Sequence, residues 1–322
     1  MKTILILNPV SGTSMMASSD HAPEDNETVI LAALREYDII PEVWHTTEED
    51  PGKELAKKAA DEGAELVIAA GGDGTIHAVA GGLIGTKSTL GIIATGTMNN
   101  LARSLQISEE IRQACQVIAQ GDIKQVDVGQ INGHVFLEVA GIGLDAALFP
   151  AAEEIKTAGV LSTMRGVVGG LFKLFTFRPT RMKITFDDHK SRSYHAIQVT
   201  ICNSPSYGAH LQVAPEALMD DGLLDVVIYK NFSKLEYIRH AISISQGRRT
   251  LQPGISHHRS RSLQVTSDEP IEFHADGIPH GYTPASVKVV AGALRVRIPQ
   301  KAAEEPAMEQ APSEHSKMQK VR

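Results

Sequence analysis

The sequence predicts two domains: a doubly wound α/β domain over residues 1–128, then a mainly antiparallel β domain over 129–290. Three observations predict them. Strand-like and helix-like segments alternate up to about residue 126, the signature of a βαβ-built sheet. The segments 3–7 (TILIL), 65–70 (ELVIAA) and 90–94 (LGIIA) are continuous apolar runs, as strands buried on both faces of a parallel sheet are. Beyond 126 strand-like segments dominate.

In chain order, the strand 3–7 runs into a polar stretch rich in Ser, Asp, Pro and Asn, a loop to about residue 26. Apolar positions at helical spacing predict a helix over 27–37, and Val43 with Trp44 a second strand. A proline-led helix follows at 51–62, then the strand 65–70, a helix at 75–84, the strand 90–94, and helices at 97–105 and 108–120. In the second part strands are expected at 134–140, 181–187, 193–202, 224–230, 263–266, 271–275, 286–290 and 294–299, with helices at 151–177 and 233–246. The last segment, 301–322, is polar, charged and poor in large apolar residues, and reads as a disordered tail.

The 322 residues carry 42% hydrophobic and 21% charged side chains, ordinary for a globular chain. The net charge of −7 argues against general nucleic-acid binding. Cys115 and Cys202 lie far apart among apolar neighbours, so buried thiols are expected rather than a disulfide or a metal site. The N-terminal apolar run is too short for a signal-peptide core, and the run 158–177 is interrupted by Arg165, Lys173 and three glycines. A cytoplasmic protein is expected.

The strongest chemical signal is AAGGDGTIHAVAGGL, residues 69–83. An apolar strand runs straight into Gly71, Gly72, Asp73, Gly74 and Thr75, and a helix follows. Glycines let phosphate oxygens approach the backbone, and the helix start offers free N–H groups and a positive dipole end. Thr75 can cap that helix or donate its hydroxyl. Asp73 suits an anion site only if a divalent cation or a lysine bridges it to the phosphates. A tight turn without a ligand is the alternative. The loop is neither a Walker A motif nor GxGxxG. Two further polar turns, Asn8-Pro9-Val10-Ser11-Gly12 and Thr95 to Asn100, end other strands of the same domain. In an open α/β sheet, ligands bind along that edge.

GGDGT at 71–75, NPVSG at 8–12, GTMNNLARSL at 96–105, VDVG at 126–129, APEALMDDGLLDVVI at 214–228 and HADG at 274–277 together resemble the diacylglycerol kinase catalytic domain family. Its relatives include sphingosine kinases and bacterial soluble lipid kinases. The resemblance spans nearly the whole chain to about residue 299 and implies an NAD-kinase/diacylglycerol-kinase-like fold. It implies an N-terminal nucleotide domain, completed by a last strand returning over 291–300, a β-sandwich lipid-binding domain, and a nucleotide cleft between them. It implies transfer of the ATP γ-phosphate to a lipid hydroxyl with Mg²⁺. Asn8, Pro9, Ser11, Gly12, Thr46, Gly71, Gly72, Asp73, Gly74, Thr75, Thr97 and Asn100 would then meet the nucleotide. Asp73 and Asp127 would join a water-and-magnesium network. Asp221, with the carbonyls of Leu218 and Leu223, would hold a structural Mg²⁺. An NAD-kinase reading also uses GGDGT, but the segments 96–105 and 214–228 favour the lipid kinases.

The sequence departs from that pattern twice. Asn100 stands where the family has an aspartate. Ile278 stands where the family's Asp-Gly-Glu places the general base, and isoleucine takes no proton. Asp276, His280 or a water held by Asp73 would replace the base. Otherwise the acceptor is acidic enough to need none, or the protein binds nucleotide or lipid without turnover. His77, His134, His257 and His258 show no metal-ligand spacing and read as surface or core histidines. Apolar residues with basic flanks over 151–177 suit either a core helix or an interfacial one that meets anionic lipid. The expected partner is a lipid at a membrane surface, met as a peripheral protein at the inner face. A homodimer is left open.

Overall fold

The computed structural model describes residues 1–9, 26–146, 176–187, 189–205, 212–230, 233–245 and 254–300. Ser11, Gly12, the 151–175 part of the expected helix 151–177, and the segment 301–322 lie outside the described residues.

The first domain is built on β1 (Thr3–Leu7), β2 (Glu42–His45), β3 (Leu66–Gly71) and β4 (Thr89–Ala94), paired in parallel in the order β2-β1-β3-β4. Every residue of β1, β3 and β4 is buried. That explains their uninterrupted apolar runs, because helices cover both faces of a parallel sheet. The helices are α1 (Asn26–Arg35), α2 (Lys53–Asp61), α3 (Asp73–Leu83), α4 (Asn100–Ser104) and α5 (Ile111–Gln120). α1 packs against α5, and α2 against α3.

The second domain runs antiparallel through β5 (Asp122–Ile131), β6 (His134–Phe136), β7 (Val139–Gly143), β8 (Thr180–Phe186), β9 (Arg192–Cys202) and β10 (Leu224–Lys230). It continues with helix α6 (Lys234–Ser245), then β11 (Ile255–Ser260), β12 (Ser262–Ser267), β13 (Glu272–Ala275), β14 (Ile278–Tyr282) and β15 (Ala285–Ile298). Strand alternation divides its interior. Val199, Ile201, Val226 and Ile228 enter one apolar cluster, while Cys202, Val227 and Tyr229 enter another. Both cysteines are buried and free, and burial pushes the Cys115 thiol up to about 12.

β15 joins the two domains. Its first half pairs with β12 and its second half runs parallel to β4, while β5 follows it antiparallel along most of its length. Val126, Val128, Leu294 and Val296 therefore belong to the core of the first domain, whereas Ile131 and Val287 belong to that of the second.

Several elements differ from the sequence expectation. The segments 286–290 and 294–299 form one strand, interrupted by a register shift where Gly292 takes φ 58°. β5, β11 and β14 were not expected, and helix 97–105 shortens to Asn100–Ser104. The expected strand 134–140 breaks in two at residues 137–138, for a reason that lies in the site.

Candidate active site

Four strand ends and the loops after them are stitched into one edge. Asn8 N–H donates to Ala70 O at 3.0 Å, Thr46 N–H to Leu7 O at 3.0 Å, and Thr95 N–H to Gly71 O at 2.9 Å. Between the segments that follow β1 and β3, Asn8 Nδ2 donates to Thr75 Oγ1 at 3.1 Å. This brings Asn8, Thr46, Gly71 to Thr75 and the 95–100 turn together, as expected. Pro9 and Thr97 are exposed on the same edge.

The glycines of the 71–75 loop and the 95–100 turn have separable duties. A Cβ on Gly96 would lie 2.7 Å from Gly72 Cα, so the two turns touch backbone to backbone. A Cβ on Gly71 would meet Thr75 at 2.7 Å. A Cβ on Gly74 would meet nothing within 4 Å, so no packing demands a glycine there. Gly72 caps α3 without any side-chain hydrogen bond. The helix start thus presents its first-turn N–H groups beside the open face of Gly74.

Asp73 ties the two turns. Its Oδ2 accepts Asn99 N–H at 2.9 Å and its Oδ1 accepts Asn100 N–H at 2.7 Å. Asn100 therefore serves through its backbone, a role that asparagine and aspartate fill equally well. Asn99 is buried with φ 51°, a left-handed conformation that asparagine tolerates better than most residues. Its side chain closes the turn by accepting from Gly96 N–H and donating to Gly96 O.

Asp127 is 2% exposed and faces elsewhere. Its carboxylate accepts Gly222 N–H at 2.6 Å and Gly292 N–H at 2.8 Å, and its own N–H donates to Met219 O. It locks the 219–223 turn and the β15 irregularity onto β5, so its direct bonds go to that turn and not to the phosphate loop. In the same turn, Asp221 Oδ1 accepts Leu223 N–H at 3.0 Å and Oδ2 pairs with Arg259, whose Nε lies 3.6 Å from Asp225. Leu218 is exposed. The donor set expected for a structural cation thus meets a guanidinium that already supplies positive charge. It does not fit Mg²⁺ as it stands.

Asp276 lies beside His77 of α3 but is heavily engaged. It takes φ 44°, and its carboxylate accepts the N–H groups of Leu137, Glu138 and Val139 at 2.7, 3.0 and 2.9 Å. Its own N–H donates to Val139 O at 2.8 Å. These bonds draw residues 137 and 138 out of the sheet, which is why the expected strand 134–140 breaks. Ile278 opens β14 and is 62% exposed. His280 stacks on His134 with ring centroids 3.9 Å apart.

Sequence reading missed two residues at this corner. His77 lies between two carboxylates, with Nε2 3.3 Å from Glu138 Oε1 and Nδ1 3.5 Å from Asp276 Oδ2. Single ligand atoms of Asp73, His77 and Glu138 lie within 4.8 Å of one another. Burial of the His77 ring opposes its charge, but Asp276, Glu138 and Asp73 outweigh it and raise its pKa from 6.5 to about 9. Burial pushes the Glu138 carboxyl up, and His77 pulls it back. A ¹⁵N-NMR titration of the ring is expected to find His77 still an imidazolium at pH 7.5. Glu138→Gln should lower its pKa by removing one of the two contacting anions. Two signals pointed here: His77 stands four residues after Asp73 on one helix face, and Glu138 is a lone carboxylate in an apolar run.

A second buried polar group lies in the β domain, where His274 Nε2 is 3.5 Å from Asp145 Oδ2, and Thr200, Gln198 and Tyr237 continue the chain of contacts. Among the described residues no helix is long and apolar enough to cross a membrane.

Comparison with known proteins agrees with this architecture. Residues 2–131 match the diacylglycerol kinase catalytic domain, and residues 138–298 match the YegS C-terminal NAD kinase beta sandwich-like domain. A Bacillus subtilis protein named diacylglycerol kinase is 29% identical over 306 residues, covering 94% of this chain and 97% of its own length. A Cronobacter sakazakii protein named "Probable lipid kinase YegS-like" is 28% identical over 286 residues, 85% of this chain and 92% of its own. A crystal structure of a diacylglycerol kinase from Bacillus anthracis has a TM-score of 0.71 at 24% identity, covering 92% of this chain and 96% of that one. An Archaeoglobus fulgidus NAD kinase solved with ATP shares the fold at a TM-score of 0.51 and 10% identity, covering 92% and 93% of the two chains. With a glycine-rich strand-to-helix loop on the first domain, a β-sandwich-like second domain and a last strand that returns to the first, the chain belongs to the diacylglycerol kinase/YegS-like lipid kinase family.

Proposed function

We propose that the protein transfers the γ-phosphate of ATP to a hydroxyl of a diacylglycerol-like or sphingoid lipid, at the surface of a membrane that it visits peripherally. The observation that carries this reading is the uncapped start of α3 beside the open face of Gly74, held by Asp73 against the 96–100 turn. The names of the Bacillus subtilis and Cronobacter sakazakii relatives support a lipid as acceptor.

The first-turn N–H groups of α3 bind and orient the phosphate chain, with the helix dipole adding to the attraction. Phosphoryl transfer depends on positioning and charge neutralisation more than on covalent help. Mg²⁺ entering with the nucleotide would neutralise charge on the transferring phosphate. Asp73 fits as its holder through water, because each oxygen keeps a lone pair beyond its one N–H bond. The β domain over 129–290 would carry the lipid.

The direct test is incubation with γ-labelled ATP and separate micelles of diacylglycerol, monoacylglycerol and a sphingoid base, followed by chromatography of the organic phase. Label in a lipid phosphate is expected. A chain that binds ATP and labels none of them would overturn the kinase reading in favour of a binding module, the reading that Ile278 invites.

Gly74 offers an independent check. An alanine there clashes with nothing and suits a helix better than glycine by about 0.5–1 kcal/mol. Gly74→Ala is therefore expected to keep or raise the melting temperature while weakening ATP binding about tenfold or more, as calorimetry would read. A variant that binds ATP as well as the parent would place the phosphates elsewhere.

A further inference from the structure

We infer that Glu138 is the general base that takes the proton from the acceptor hydroxyl, in place of the carboxylate that Ile278 cannot provide. This rests on the lipid-kinase reading and names the residue that completes it.

The geometry supplies the carboxylate from the opposite side of the same corner. The Asp276-Gly277-Ile278 turn docks on residues 137–139, and Glu138 N–H donates to Asp276 Oδ1 at 3.0 Å. Glu138 is thus hydrogen-bonded to the turn whose third residue lacks a base. Its side chain is 5% exposed and reaches back to the phosphate-loop helix, where His77 Nε2 lies 3.3 Å from Oε1. Its carboxylate and that of Asp73 come within 4.8 Å. A base here lies beside the loop assigned to the transferring phosphate.

The other groups at the corner are less suited. Asp276 already accepts three backbone N–H groups, which occupy its oxygens. Asp73 holds two. His77 sits among three carboxylates that keep its ring protonated and without a free lone pair. His280 is engaged in stacking on His134, and burial first of all favours its neutral form. Ile278 points its side chain to solvent. Glu138 combines the right chemistry with the right place, and a buried carboxylate is a stronger base than a hydrated one. His77 and Asp276 are positioning residues.

In the step proposed, the lipid hydroxyl oxygen bonds to the γ-phosphorus as its proton passes to a Glu138 oxygen. The bond from γ-phosphorus to the bridging oxygen breaks, and its electron pair leaves with ADP. The proton on Glu138 then returns to water as products depart.

The test compares the full chain with Glu138→Gln, Glu138→Ala and the double variant Glu138→Gln/Ile278→Glu, using ATP-Mg²⁺ and whichever lipid the parent phosphorylates. General-base help is worth roughly 10²–10⁴-fold. The kcat of Glu138→Gln should fall by that factor, with the ATP dissociation constant within about twofold of the parent and KM for lipid little changed. Formate should partly restore Glu138→Ala, and the carboxylate at 278 should partly restore Glu138→Gln. A folded Glu138→Gln within about threefold of the parent kcat would overturn the assignment and leave the kinase reading standing. If Glu138→Gln does not fold, a folded Glu138→Ala that formate leaves inert overturns it equally. Parent protein that binds ATP and phosphorylates none of the lipids would overturn both.

Discussion

Asp73→Ala is expected to abolish measurable phosphoryl transfer and to weaken nucleotide binding severely, while the chain stays folded. The reason lies in what its two oxygens hold. One N–H from Asn99 and one from Asn100 end on this carboxylate, across the contact where Gly72 and Gly96 meet backbone to backbone. With alanine, both donors lose their acceptor. Each such loss costs about 1–3 kcal/mol where water cannot substitute. Partial exposure of the edge should hold the measured loss of stability near the lower end. Function suffers more, because the 96–100 turn is no longer held against the α3 start, and Asn99 must keep φ 51° without its anchor. Removing one preorganised group from such a site typically costs about 10²–10³-fold in kcat. Here the phosphate cradle and the water-held cation position are lost together, so the expected loss is larger. Asp73→Asn separates the two contributions. Its carbonyl oxygen can still accept one N–H, so it should regain stability but little turnover. Calorimetric ATP binding and single-turnover rates on both variants check this, and unchanged binding in Asp73→Ala would show that the phosphates lie elsewhere.

The parallel half of the fold was legible because its strands are buried on both faces. An apolar run such as Leu66–Gly71 carries that message without help from distant residues. The glycine-rich turn between β3 and α3 was legible for a similar reason, since strand, glycines and helix are contiguous in sequence. What escaped notice depends on partners far along the chain. β5 begins at Asp122 with exposed, polar residues and gains its strand character from pairing with β15, more than 150 residues later. β15 read as two strands because Gly292 bends it, and the two halves pair with strands of different domains within one sheet. Glu138 looked like one face of a strand over 134–140. Only the three N–H bonds to Asp276 pull it out of the ladder and aim it at His77. Asp127 and Asp221 were expected at separate sites, yet Asp127 accepts from Gly222, the neighbour of Asp221. Such couplings need the tertiary structure, because no local pattern encodes which loop meets which turn.

The same corner gives the second large expectation, that Asp276→Ala damages stability and turnover together. Asp276 is the acceptor for three consecutive backbone N–H groups, on Leu137, Glu138 and Val139. No side chain elsewhere in the described structure is set to replace it. Leu137 and Val139 are almost fully buried, at 2% and 3% exposure, so water reaches their donors poorly. Allowing one of the three groups to find solvent, the cost is about 3 kcal/mol, a large share of an ordinary folding free energy. Asp276→Asn should cost less. Asparagine tolerates the left-handed φ of 44° and keeps one acceptor oxygen. Turnover should fall further than stability alone explains. Without Asp276 the 137–139 backbone is free to rejoin a continuous strand with 134–136, which would swing Glu138 away from His77 and the phosphate loop. Denaturant midpoints for the parent, Asp276→Asn and Asp276→Ala should fall in that order. The kcat values should follow the same order, with nucleotide affinity largely kept in all three because the Asp73 tie is untouched. An Asp276→Ala chain as stable as the parent would mean that these three N–H groups find other acceptors. One that is unstable yet fully active would mean that the corner supports the fold and takes no part in the reaction.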